Sequence, residues 1–107
     1  MDNEYSMVLA TCPNRVVARN IAQALIERKL VACVQMHNIE SIYIWNGELH
    51  DEPEIMLTLK TKTKLFKEIQ DTIVENHPFE VPGITQFPVT DGLPSFLAWV
   101  DEHVKNV

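Results

Sequence analysis

The sequence predicts an α+β domain of the ferredoxin-like type: a split β-α-β unit used twice in one antiparallel sheet, with a long β-hairpin between the halves and an added C-terminal helix. Three observations predict it. Apolar residues alternate between strand and helix spacing in the order strand, helix, strand, strand, helix, strand, helix. Asn46-Gly47 separates two extended runs, the strongest short hairpin signal because both turn positions need positive φ. The 107 residues, 46% of them hydrophobic, supply one core and too little chain for two.

The elements follow in order. Tyr5 to Thr11 is a short, near-continuous apolar run, the pattern of a central strand. Thr11 or Cys12 then caps a helix that has Pro13 in its first turn and reaches about Arg28, with Val17, Ile21, Ala24 and Leu25 as its apolar stripe. Val31 to Trp45 reads as strand with a polar interruption at His37-Asn38. After the turn, the return strand runs from Glu48 to about Lys60, with Ile55, Leu57 and Leu59 on one face. Thr61 or Thr63 caps a second helix, whose Leu65, Phe66, Ile69 and Ile73 share a stripe and which ends near Asn76-His77, before Pro78. The turn-rich stretch 78–83 leads to a short strand, Ile84 to Val89, in which Pro88 marks an edge or an end. A third helix begins near Pro94, with Phe96, Leu97, Val100 and Val104 as its stripe. The whole is one domain, residues 1–107.

Nine Lys and Arg against fifteen Asp and Glu give a formal charge of -6. Nucleic-acid binding needs a basic footprint that releases counterions, so neither nucleic acid nor an anionic membrane is an expected partner. No apolar run approaches the roughly 20 residues of a membrane helix, and Met1-Asp2-Asn3-Glu4 is unlike the start of an export signal. Cytoplasmic location is the expectation. Cys12 and Cys33 match neither a Cys-x-x-Cys pair nor a zinc knuckle, and the topology sets them about a strand length apart, ~15 Å or more. Both are expected to be free thiols.

The topology also brings His77, at the end of the second helix, to the edge where Cys12 ends the first strand, with Glu80 close behind. Thiolate and imidazole suit copper, zinc and similar ions. The alternatives are a buried, inert thiol and a histidine that interacts with helix carbonyls. His37 and His50 flank the hairpin with no partner visible beside them and read as solvated. No enzyme is expected: there is no phosphate loop, no Ser-His-Asp order and no forced carboxylate pair. Extended, Val31 to Trp45 spans ~50 Å, whereas a compact domain of this length has a radius of gyration of ~13 Å. The hairpin therefore bends or projects, exposing edges and aromatic surface that symmetric self-association would cover.

Thr11-Cys12-Pro13, Leu30-Val31-Ala32-Cys33-Val34, Ser41 through Glu48 (Ser-Ile-Tyr-Ile-Trp-Asn-Gly-Glu), Lys60-Thr61 and His77-Pro78-Phe79-Glu80-Val81-Pro82 together resemble the divalent-cation-tolerance proteins called CutA, over almost the whole chain. The resemblance implies a subunit related to the PII signalling proteins, a homotrimer built through long strands, and a cytoplasmic role in tolerance of copper and other divalent cations, with no established catalytic reaction. Two positions depart from the pattern. Some members have a copper-ligating Cys where Ala10 stands here and a His-His pair where Asn76-His77 stands. Many have a Pro-Gly break near Met36-His37-Asn38-Ile39, which leaves the hairpin register open.

The resulting expectation is a PII-like homotrimer that binds copper or a similar divalent cation at clefts between subunits, with His77, Cys12 and Glu80 as ligands and Tyr43, Trp45 and Lys60 at the cleft or subunit interface. The rival expectation is a PII-like signalling module that takes a small effector or partner protein in those clefts, metal being incidental. A third is a stable trimer that serves protein–protein contact.

Overall fold

The computed structural model describes residues 3–107; Met1 and Asp2, on which part of the export-signal reading falls, lie outside the described residues. The elements are β1 (Tyr5–Cys12), α1 (Arg15–Glu27), β2 (Cys33–Trp45), β3 (Glu48–Lys62), a 3-10 turn (Thr63–Leu65) that runs into α2 (Phe66–Asn76), β4 (Ile84–Pro88) and α3 (Pro94–His103). The four strands form one sheet in the order β2-β3-β1-β4, every neighbouring pair antiparallel. This is the α+β, ferredoxin-like arrangement that the order of elements predicts.

One face of the sheet carries the core. Val8, Ala10 and Cys12 of β1 and Ile55, Leu57 and Leu59 of β3 point at α1 and α2, which contribute Ala18, Ile21 and Leu25, and Ile69 and Ile73. The stripe on α1 is turned slightly from the expected one: Ala18 and Ala22 are buried, while Val17 and Ala24 are only half-buried. Of the second expected stripe, Leu65 in the 3-10 turn and Ile69 and Ile73 on α2 are buried, and the partly buried Phe66 packs against the core. The third helix buries only Val100, with Val104 following just past its end. Lys62 pairs with Asp101 of α3, and the Lys60 ammonium lies 5.9 Å from the centre of the Phe96 ring. The chain end is held by the Lys105 N–H, which donates to Lys29 O at 2.8 Å.

Local chemistry corrects the element starts. Asn14 caps α1: its Oδ1 accepts from Val17 N–H at 2.9 Å. Pro13 therefore precedes the helix, and Thr11 and Cys12 belong to β1. Neither Thr61 nor Thr63 caps α2, because both hydroxyls are otherwise engaged. Thr61 Oγ1 donates to Leu30 O at 2.6 Å, and Thr63 Oγ1 shares a 2.6 Å bond with Ser6 Oγ.

The hairpin register is unbroken. Asn46 (φ 51°) and Gly47 (φ 78°) make the tight turn, and every residue of β2 from Trp45 back to Cys33 pairs with its counterpart in β3, Glu48 to Lys60. The polar pair His37-Asn38 does not interrupt the strand. It sits opposite Met56 and Ile55, and the Arg15 guanidinium donates to Asn38 Oδ1 at 2.8 Å.

Because β1 ends at Cys12, opposite Ile55, the stretch from Ile39–Glu54 to Trp45–Glu48 is a two-stranded arm beyond the sheet. Pro53 falls in this arm, where one flank of β3 has no ladder bond to lose. The molecule is accordingly elongated, 44 × 27 × 22 Å, with a radius of gyration of 14.4 Å. Cys33 lies five pairs along β3 from Cys12, about 17 Å at the usual rise, and both thiols are free. Among the described residues no helix is long and apolar enough to cross a membrane.

Candidate functional site

A cavity of about 700 Å³ opens where the arm leaves the sheet. Register builds one wall: Tyr43 faces His50, Ser41 faces Glu52 and Ile39 faces Glu54. The tight turn thus stacks the Tyr43 and His50 rings, with centroids 5.0 Å apart and planes 6° from parallel, and His50 Nδ1 lies 3.4 Å from Glu52 Oε1. The other wall is the turn-rich segment after α2, which presents Phe79, Glu80 and Val81. Thr11 N–H donates to Gly83 O at 3.3 Å and ties the end of that segment to β1.

His77 fastens the start of the segment. Phe79 N–H donates to Nδ1 at 3.1 Å, and Nε2 is 2.8 Å from Thr11 O. A carbonyl only accepts and an amide N–H only donates, so the ring is the neutral tautomer with its proton on Nε2. Both ring nitrogens are occupied, and the residue is 9% exposed.

Cys12 lies at the same end of the sheet, as the topology implies, but it faces the helices and is 0% exposed. Burial, helped by the nearby Glu54 carboxylate, pushes its thiol up from 9.0 to about 11. A neutral, sealed thiol is a poor metal ligand, since the thiolate is the ligating form.

Of the expected ligands His77, Cys12 and Glu80, then, only Glu80 reaches the cavity; the other two are turned inward by hydrogen bonding and by packing. Within one chain the three do not form a donor set, and among the described residues no three His, Cys, Asp or Glu side chains are placed to hold a metal ion. Tyr43 and Trp45 line this cavity of the single chain. Lys60 does not: it pairs with Cys33 and Met7 at the far end of the sheet, where its Nζ donates to Gln35 Oε1 at 3.3 Å.

Sequence reasoning passed over three cavity residues. His50 is not a lone solvated histidine, because it has Tyr43 and Glu52 beside it. Glu52 and Glu54 read only as strand residues. The signal was present: once Asn46-Gly47 fixes a two-residue turn, counting outward pairs each of these residues across the hairpin. Glu54 is 8% exposed, lines the cavity, and has no hydrogen-bond or ion-pair partner among the described residues.

Three carboxylates and an imidazole line the cavity with no lysine or arginine, so it favours positive charge. A ferredoxin-like chain with a projecting arm and a cation-favouring cleft at its root is the class of protein these features define. Residues 6–103 match the family described as CutA1 divalent ion tolerance protein. The chain belongs to that family. It is 39% identical over 98 residues to a divalent-cation tolerance protein CutA of Thermus thermophilus, covering 91% of this chain and 95% of that one. A zebrafish protein CutA homolog is 37% identical over 103 residues, 95% of this chain and 69% of its own. The solved structure of the periplasmic divalent cation tolerance protein CutA from Archaeoglobus fulgidus superposes with a TM-score of 0.92 at 34% identity, covering 94% of this chain and 99% of that one.

Proposed function

We propose that this chain serves divalent-cation tolerance as a homotrimer, binding copper or a similar divalent ion in clefts between subunits rather than catalysing a reaction. The observation that carries the reading is the cavity wall of Glu52, Glu80 and the His50 imidazole without a competing fixed cation. Carboxylate and imidazole both ligate divalent metals, and a neighbouring subunit supplies the donors that one chain lacks. Self-association is supported by the arm, where Ile42 and Ile44 are 68% and 64% exposed and one flank of each strand has no ladder partner among the described residues. Three is the copy number that the family resemblance implies. In this reading Cys12 and His77 hold the shape of the cleft and Glu80 touches the ion.

Light scattering tests the assembly, with an expected mass of about three times 12.3 kDa. Equilibrium dialysis against copper and zinc tests the site. Glu80→Gln and His50→Ala are expected to weaken binding about tenfold or more, and Cys12→Ser to leave it unchanged. Unchanged affinity in the first two variants refutes these ligands. Cytoplasmic location is part of the proposal, and fractionation of the source cells tests it. A second reading, a PII-like module for a small effector, is favoured by one observation: the cavity is far larger than an ion with its ligands requires.

A further inference from the structure

We draw no further inference here: the strongest candidate, the second cavity of about 680 Å³ at the end of the sheet away from the arm, walled by Ser6, Lys62, Thr63, Lys64 and Gln86, carries nothing, because the one orphaned polar atom among its described residues, Gln86 Oε1, is sealed from water and so from any occupant, Asn3 on its rim adjoins residues outside the described ones, and nothing in the structure shows what covers it.

Discussion

Replacing His77 by Phe separates a fastening role from a ligand role. The substitution keeps an aromatic ring of similar size beside Phe79, whose own ring centre lies 4.9 Å away, and it removes both hydrogen bonds of the imidazole. Those bonds, 2.8 Å to Thr11 O and 3.1 Å from Phe79 N–H, join the end of β1 to the segment that walls the cavity. Each is worth about 0.5–1.5 kcal/mol net, so their loss is expected to cost about 1–3 kcal/mol. The expected reading is a lower urea midpoint with unchanged slope, measured at one fixed protein concentration because assembly shifts apparent stability. Copper and zinc dialysis on the folded variant is expected to give native stoichiometry. A variant as stable as the native protein but unable to bind metal would refute the fastening role and restore His77 as a ligand.

Four further outcomes are expected. Iodoacetamide at pH 8 is expected to modify half-buried Cys33 well before Cys12, because Cys12 is sealed and holds its proton to about 11; equal rates by mass spectrometry contradict its placement in the core. The same shift links to stability. Between pH 9.0 and 11 the unfolded thiol ionises while the folded one stays protonated, so the unfolded state binds fewer protons and stability falls with rising pH. The loss amounts to about 2–3 kcal/mol, and a Cys12→Ala variant whose alkaline decline matches that of the native protein removes this cause. Lys29 holds φ 55° just past the end of α1, where Leu30 N–H bonds Leu25 O at 3.0 Å, the position that favours glycine. Lys29→Gly is expected to raise stability by about 0.5–1 kcal/mol, or several degrees in Tm, and a fall in Tm overturns that account. Finally, Ile42→Lys with Ile44→Lys is expected to lower the mass by light scattering while circular dichroism stays native, since both residues are exposed within the chain. An unchanged mass shows that this face of the arm is not the contact.

Much of the fold is legible in the sequence because its signals are local. The strand and helix periods, Asn46-Gly47 and Pro94 all act within a few residues of the elements they mark. Helix starts are less legible where several cap residues compete. Thr11 or Cys12 reads as the cap before α1, where Asn14 serves instead, and Thr61 or Thr63 reads as the cap before α2. Partners distant in sequence decide, because Leu30 O and Ser6 Oγ claim the two threonine hydroxyls.

The candidate site divides in the same way. Sequence by itself determined the fold class, the family and the end of the sheet at which His77, Cys12 and Glu80 gather, since strand direction and helix order follow from element order alone. The hairpin register, open in the sequence around Met36-His37-Asn38-Ile39, is settled by the structure as an unbroken ladder from the Asn46-Gly47 turn to Cys33–Lys60. Only the tertiary structure decided which way each side chain faces. Cys12 turns to the helices because pleating sends Val8, Ala10 and Cys12 to one face, and that face is the covered one. His77 is consumed by two backbone groups that lie sixty-six residues upstream and two downstream of it. Glu54, an ordinary strand glutamate to any local rule, becomes a wall of a cavity because the segment after α2 forms the wall opposite, and as a residue it is left 8% exposed. Burial is a property of what covers a residue, and the cover comes from elsewhere in the sequence.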